Sequence, residues 1–357
     1  MNRGRTGRVK TVVYSSPFVP AEWIAAHGVR PRRIRPDPAA ASPSAGPLMG
    51  VCPYARAFMG EVLSAPAAGA AVFATTCDQM RRAAEWAGRG GGPPVFLMNV
   101  PATWQTPAAA RLYRDELRRL GRFLVRLRGA APSRDRLAET LEAYDARRAA
   151  LRGALGILSA RQASEAIARF DLGSEKEAGS EKGQEPFLKS RWVPDTFSAD
   201  TFSDPAPDLP RGTPVALVGG PLMHGDSLIF DTLATAGAVV VLDGTESGVR
   251  TLPAPVDRRR LRDDPLMELV DTYFGTIPDA FRRPDTALYA WLKQELAASA
   301  ARGIIVWRYV WCDMWAAAAA RLRETTGLPV LDLDVSGDEA DLARSTGRIQ
   351  AFMEVLK

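Results

Sequence analysis

Three cysteines offer the chain's clearest opportunity for chemistry, because each falls where strand-like sequence gives way to helix-like sequence. Cys77 ends the run Ala71-Val72-Phe73-Ala74-Thr75-Thr76 and opens Asp78-Gln79-Met80-Arg81-Arg82. Cys312 stands between the run Gly303-Ile304-Ile305-Val306-Trp307 and the segment Asp313-Met314-Trp315. Cys52 lies in Met49-Gly50-Val51-Cys52-Pro53-Tyr54, where Pro53 suits the first position of a helix. Ligands of open α/β sheets gather at the carboxyl ends of strands, and helix N-termini there offer N–H groups and partial positive charge. That environment favours thiolate over thiol, and thiolate is the form that binds metal. Against this stands the plainer reading of three cysteines as small buried apolar residues. Their wide separation in sequence excludes a CxxC zinc ribbon or thioredoxin motif. Thiolates brought together from separate loops suit an iron–sulfur cluster or zinc at a domain interface.

The elements that must position these residues follow from the hydrophobic pattern. Strand-length apolar runs alternate with longer helical stretches, the signature of βα units on parallel sheets. In the first half the spacing predicts strands at Val9–Tyr14, Arg32–Arg35, Ala70–Ala74 and Val95–Asn99. Helices are expected near Ala21–His27, Pro53–Leu63, Gln79–Ala87 and Ala108–Arg128, with one or two more between Ser133 and Phe170. The second half predicts strands at Pro214–Val218, Ala238–Leu242, Ile304–Trp307 and Val330–Leu333. Its helices fall near Leu228–Ala236, Met267–Phe274, Thr286–Ala301, Met314–Thr325 and Leu342–Leu356. Between the halves, a Gly/Ser/Glu/Lys near-repeat and a Pro/Asp/Ser-rich run break the pattern. The expected fold is therefore two similar α/β domains, residues 1–170 with Cys52 and Cys77 and residues 212–357 with Cys312, joined by a linker over 171–211. A length of 357 residues agrees, at roughly 150 residues per domain.

Composition narrows the functional classes. Lys and Arg number 46 against 41 Asp and Glu, a formal charge of +5, yet only six of the basic residues are lysine. The arginines are scattered among acids, and Arg258-Arg259-Arg260 is followed at once by Leu261-Arg262-Asp263-Asp264. No aromatic stripe accompanies them, so the pattern argues against nucleic acid and fits an anionic small molecule equally well. No apolar run approaches the ~18 residues of a membrane span, and the opening residues lack the apolar core of a signal peptide. A cytoplasmic protein is expected.

With these elements in place, the cysteine segments resemble the three cysteine motifs of the 2-hydroxyacyl-CoA dehydratase / benzoyl-CoA reductase family. The segments are Cys52-Pro53-Tyr54-Ala55-Arg56-Ala57, Thr76-Cys77-Asp78-Gln79-Met80-Arg81-Arg82 and Trp311-Cys312-Asp313. The opening Val13–Glu22 with Ala26-His27-Gly28, the segment Val95–Pro101, Gly327–Asp334 and the closing Gly347–Glu354 are similar to the family in the same order. Within that family the chain resembles the D-component-like subunit of 2-hydroxyglutaryl-CoA dehydratase. The resemblance implies two Rossmann-like (flavodoxin-like) domains with parallel sheets and a [4Fe-4S] cluster held between them by Cys52, Cys77 and Cys312. It implies a lyase that passes one electron to the thioester of a 2-hydroxyacyl-CoA and expels water through a ketyl radical anion. Alternatives within the resemblance are a benzoyl-CoA-reductase-type ring-reducing subunit and an electron-relaying partner without turnover of its own. The implied partners are a homologous second subunit, an ATP-dependent iron–sulfur activator protein and an acyl-CoA substrate.

Two departures matter. Ile277-Pro278-Asp279 lacks the extra cysteine that some relatives carry, which speaks against a double-cubane cluster. Position 56, one turn past Cys52, is Arg rather than a proton-handling carboxylate. Candidate catalytic residues are His224 and Arg56; candidate substrate-binding residues are Arg81, Arg82, Asn99 and His224, with Arg250 a further possible phosphate contact. Gly219–His224 follows a strand and precedes a helix, so with Met49–Gly50 it is expected to line the cleft, into which few charged side chains should point. This segment is neither GxGxxG nor a P-loop. Asp226 or Ser227 reads as a helix N-cap, and His27 as a helix-end residue. Trp307, Trp311 and Trp315 read as core around Cys312, with rings that would exclude water from the site.

Overall fold

Two four-stranded sheets, all of their pairings parallel, organise the chain in a computed structural model. The structure describes residues 11–40, 50–64, 68–89, 91–172, 212–337 and 339–357. The first sheet holds β1 (Thr11–Tyr14), β2 (Arg30–Arg33), β3 (Ala68–Ala74) and β4 (Val95–Met98) in the order β2-β1-β3-β4. The second holds β5 (Thr213–Gly219), β6 (Ala238–Gly244), β7 (Gly303–Tyr309) and β8 (Val330–Val335) in the order β6-β5-β7-β8. The two orders are the same, and both reverse direction of winding between their first and third strands. That is the flavodoxin-like arrangement, whose ligands sit at the carboxyl ends of the strands flanking the reversal.

The central strands are apolar on both faces, as parallel strands covered on both sides must be. Val12, Ala70–Ala74, Val215–Val218 and Ile304–Val306 are buried. The helices that cover the first sheet are α1 (Ala21–Ala26), α2 (Pro53–Ser64), α3 (Asp78–Ala87) and α4 (Pro107–Arg126). Thr106 stops α4 at its start by accepting the Ala109 N–H at 3.2 Å, and Pro107 fixes its first turn. The stretch 133–170 resolves into two helices, α5 (Arg134–Leu155) and α6 (Ala160–Leu172), the first capped by the Ser133 hydroxyl. The second sheet carries α7 (Leu228–Thr235), α10 (Thr286–Ser299), α11 (Asp313–Thr325) and α12 (Glu339–Val355), whereas α8 (Arg258–Asp263) and α9 (Pro265–Val270) pack with the first half, α9 against α4 and α5. One apolar core runs from Val13, Phe58 and Phe73 of the first half into Leu217, Ile305 and Leu333 of the second. The two sheets therefore share a core.

Several expectations need correction. Strand β2 lies two residues earlier than expected, at Arg30–Arg33, because pairing with Thr11–Tyr14 sets its register. Arg258–Arg260 is the first turn of α8, where Asp257 accepts the N–H groups of Arg259 and Arg260. A charged run with an acidic cap is a helix start, and the pattern of charge alone concealed it. The helix expected at Met267–Phe274 is α9 followed by a π-helical turn, Asp271–Gly275. Of the linker expected over 171–211, Asp171 and Leu172 close α6, and the rest lies outside the described residues. No helix among the described residues is long and apolar enough to cross a membrane.

Candidate metal centre

The carboxyl ends of β1 and β3 in one half face those of β5 and β7 in the other across a cavity of about 450 Å³. All three cysteines line it. From the first half come Ser15–Phe18, Cys52, Tyr54 and Thr75–Met80; from the second come Gly220, Pro221, Glu246, Asp279, Tyr309 and Trp311–Trp315. Each thiol is set by a helix start. Cys77 is the N-cap of α3, in extended conformation, and its Sγ accepts the Met80 N–H at 3.5 Å. Cys52 stands directly before α2, and its Sγ accepts the Ala55 N–H at 3.4 Å. The Cys52 N–H donates to Gln79 Oε1 at 2.9 Å, which ties the starts of α2 and α3 together.

Cys312 is the N-cap of α11 and is reached through Trp311, whose φ of 69° is left-handed. On the same side, Gly219 ends β5 against β7. A Cβ there would lie 2.0 Å from the Trp307 carbonyl oxygen, so this approach is open only to glycine. It lets the Gly220 N–H donate to that oxygen at 2.9 Å and brings Gly220 and Pro221 to the cavity wall.

Burial overrides the helix-terminus effect on the thiols. Desolvation pushes Cys52 up to about 11 and Cys77 up to about 12, and raises Cys312 as well. The N–H groups of Ala55 and Met80 pull the other way without prevailing. The expected thiolates are thus thiols at neutral pH, and metal binding would release their protons. The three sulfurs also sense one another, since Cys312 raises both Cys52 and Cys77.

The other candidates are placed as follows. Asn99 stands behind the wall, where its Oδ1 accepts the hydroxyl of the lining residue Thr75 at 3.1 Å. Arg81 and Arg82 are exposed on α3, Arg81 at 3.7 Å from Asp78. Arg56 is partly buried one turn into α2, and its charge lowers Cys52. His224 is exposed and lines a separate recess of about 350 Å³ with Arg32, Arg33 and Arg35, which shares only Ser15 and Tyr54 with the cysteine cavity. Of Gly219–His224, Gly220 and Pro221 reach the cavity; Gly50 does not, and Met49 lies outside the described residues. His27 is buried under α4 with Nδ1 at 2.7 Å from the Trp23 carbonyl, a packed helix end. Trp315 is core and lines the cavity, Trp307 lines a different recess, and Trp311 is 61% exposed at the cavity rim.

Two corrections are chemical. Arg250 is 2% exposed and cannot reach a phosphate. It donates to the carbonyls of Gly244, Pro278 and Gly219 and pairs with Asp279 at 2.8 Å. The cavity is also more charged than expected, with Glu246, Asp279 and Arg283 on its wall beside Phe18, Phe281 and Met314, and Asp78 and Asp313 at its exposed helix starts. Glu246 is the functional candidate that sequence reasoning missed. Its signal is a carboxylate two residues past β6, at the carboxyl end of a strand. Desolvation, then the nearby Asp279 charge, pushes its carboxyl up to about 7.

Three thiols would supply three of the four corners of a [4Fe-4S] cubane, whose thiolates stand roughly 6–7 Å apart on Fe–S bonds of about 2.3 Å. Among the described residues no three His, Cys, Asp or Glu side chains close on a single metal ion. Two doubly wound sheets that aim three helix-start thiols into one shared cavity define the class: a two-sheet α/β protein with a thiol-lined inter-sheet site. The sequence profile of a family described as 2-hydroxyglutaryl-CoA dehydratase, D-component, matches residues 17–356, and the chain belongs to that family. Among individually curated proteins, no significant match is found.

Proposed function

We propose that the chain is a subunit of a [4Fe-4S]-dependent 2-hydroxyacyl-CoA dehydratase, and that Cys52, Cys77 and Cys312 hold the cluster. The observation that carries this is the meeting of all three thiols on one cavity at facing strand ends, in a chain of a dehydratase family. When bound, such a cluster supplies a single low-potential electron and a Lewis-acidic iron to a thioester carbonyl, which is what elimination of an unactivated β-proton and an α-hydroxyl requires. The protein's own work is ligation, dryness and placement. Phe18, Phe281, Met314 and Trp315 cover the thiol-lined cavity with apolar surface and limit water. In this reading Arg81 and Arg82, exposed on the helix that Cys77 begins, would meet CoA phosphates, and Asn99 fixes Thr75 at the wall. The reading assigns no role to His224, which opens on the neighbouring recess.

The partners in this reading are a homologous second subunit, an ATP-dependent iron–sulfur activator and an acyl-CoA, in the cytoplasm. A second reading, an electron-relaying subunit, draws support from Arg56. That residue places a cation beside Cys52 and offers no proton acceptor there.

The test is metal content after anaerobic purification. About four irons and four sulfides per chain are expected. Alanine at any one of Cys52, Cys77 or Cys312 should remove most of both. Stoichiometric zinc without iron would sink the reading.

A further inference from the structure

We infer that the arginine-lined recess beside the cysteine cavity is a second ligand site, one that binds the phosphate group of a small molecule through Arg32 and Arg35. The inference needs no cluster and stands whether or not the chain binds iron.

The signal in the sequence is Arg30-Pro31-Arg32-Arg33-Ile34-Arg35, four arginines in six residues. They fall on β2, the edge strand of the first sheet, and on the two residues after it. An edge strand tolerates Pro31, which has no N–H to offer a ladder. Three of the arginines converge on one place. Arg32, Arg33 and Arg35 line the recess of about 350 Å³ together with Asp171, His224 and Ser247. Small-molecule pockets run from about 300 to 1,000 Å³, so this recess is large enough for a ligand.

The three guanidiniums are not equivalent. Arg33 is occupied: it pairs with Asp171 at 3.2 Å and donates to the carbonyls of Ser15 and Glu246. Arg35 is anchored without an acid. Its Nη atoms donate to Ser164 Oγ at 3.0 Å, to the Ser164 carbonyl at 2.8 Å and to the Ser247 carbonyl at 3.0 Å. These uncharged acceptors fix the plane of the group and leave its Nε–H without an acceptor among the described residues. Arg32 is partly buried and makes no hydrogen bond or ion pair among the described residues. The acids on the wall do not supply the missing anion. Asp171 is bonded to Arg33, the exposed Asp37 accepts the Ala39 N–H at 2.8 Å, and Glu61 accepts the Asp37 N–H at 3.2 Å. Two cations without a bonded carboxylate match a dianion, and guanidinium forks present the paired N–H donors that phosphate oxygens accept. Asp37 and Glu61 place negative charge on the same wall and oppose a longer polyphosphate. The ligand class is therefore a phosphate monoester or phosphate itself.

The test is equilibrium dialysis of the whole chain against radiolabelled inorganic phosphate at constant ionic strength. Wild type should bind a single phosphate per chain. Arg32→Ala, which loses no partner within the protein, should bind it about 10- to 100-fold more weakly, the range of a charge-assisted hydrogen bond. Glu61→Gln keeps an oxygen for the Asp37 N–H and removes a repelling charge, so it should bind phosphate roughly 2- to 10-fold more tightly. Arg111→Ala, exposed on α4 and outside the recess, should bind as wild type does. Absence of binding by wild type at millimolar phosphate would overturn the site. Equal weakening in Arg32→Ala and Arg111→Ala would reduce it to general charge attraction and overturn it as well. Two competitors then distinguish the sources of the phosphate. Displacement of the label by coenzyme A but not by dephospho-coenzyme A would identify the ribose phosphate of coenzyme A as the ligand. Displacement by neither would identify free phosphate or another monoester. Iron content of the same samples reports on the cluster separately, so the two readings fail independently.

Discussion

Cys77 and Cys312 occupy the same place in two copies of one topology, and the copies treat them differently. Each cysteine follows the third strand of a sheet with the same strand order and stands at the N-cap of the next helix. Cys77 arrives on extended backbone and has its sulfur held by the Met80 N–H. Cys312 arrives through a left-handed tryptophan, and the Trp315 N–H lies close enough to favour its thiolate without closing the cap hydrogen bond. The second strands diverge further. After β6 an acid, Glu246, lines the cavity; β2 ends on Arg33, with Arg35 two residues beyond, instead. The topology supplies equivalent positions at the strand ends, and the residues there decide which half binds and which half braces.

The bracing arginines give the comparison its largest test. Each half uses one arginine to hold the carbonyl where its first strand ends: Arg33 donates to Ser15 O at 2.9 Å, and Arg250 to Gly219 O at 3.1 Å. Arg250 is sealed within its own half, while Arg33 is partly exposed and reaches across to the Glu246 carbonyl. Replacing Arg250 by Leu leaves Asp279 buried without its cation and should cost about 3–5 kcal/mol. Arg33→Leu, next to a less buried Asp171, should cost roughly 1.5–3 kcal/mol. Chemical denaturation of both variants measures the difference. If Arg33→Leu proved the more damaging, bracing across the halves would outweigh bracing within one.

How far the sequence carries this picture depends on the residue. The cysteines were legible because cysteine is rare here and because Pro53 and the apolar runs mark helix starts and strand ends. The strands were legible because two-sided burial leaves an unbroken apolar run. Arg250 and Arg81 look alike in sequence, yet one is the most buried kind of brace and the other is solvated. Burial of a charge is a property of what packs over it, and no local pattern records that. Glu246 was hidden for a related reason: it is one of 41 acids, and what sets it apart is its place on the cavity wall. The left-handed turn at Trp311 carries no glycine or asparagine to announce it.

Proton binding separates the halves by a smaller amount. Asp226 or Ser227, in the loop after β5, was expected as the N-cap of α7, and Ser227 holds that position without a side-chain hydrogen bond. Asp226 accepts the Met223 N–H at 2.7 Å and the Tyr309 hydroxyl, which closes this loop on β7. Desolvation dominates its acidity and pushes the carboxyl up to about 6. A carboxyl that is more basic folded than unfolded binds protons preferentially in the fold, so this group's contribution to stability rises as pH falls from about 6 towards 4. Asp226→Asn should flatten that part of the stability–pH curve, by about 1–2 kcal/mol over the interval after allowance for partial exposure. Thermal unfolding of both proteins across this range tests it. An unchanged slope in Asp226→Asn would show that the loop is held equally well with its carboxylate charged.

The smallest effect sharpens the contrast between the two cysteine turns directly. Trp311 is 61% exposed, so its ring contributes little packing, but its φ of 69° is unfavourable for a bulky L-residue. Left-handed backbone costs such a residue about 1–2 kcal/mol, which glycine avoids, while glycine also adds freedom to the unfolded chain. Trp311→Gly should therefore stabilise the fold by up to about 1 kcal/mol, seen as a rise of a few degrees in Tm. Thr76, at the matching position before Cys77, is not left-handed, and Thr76→Gly should lower Tm through the same unfolded-state entropy without any relief. The two substitutions thus have opposite expected signs at equivalent positions. If both lowered Tm, the Trp311 ring would be contributing packing at the cavity rim that outweighs its backbone strain, and its role beside Cys312 would be to shield the thiol.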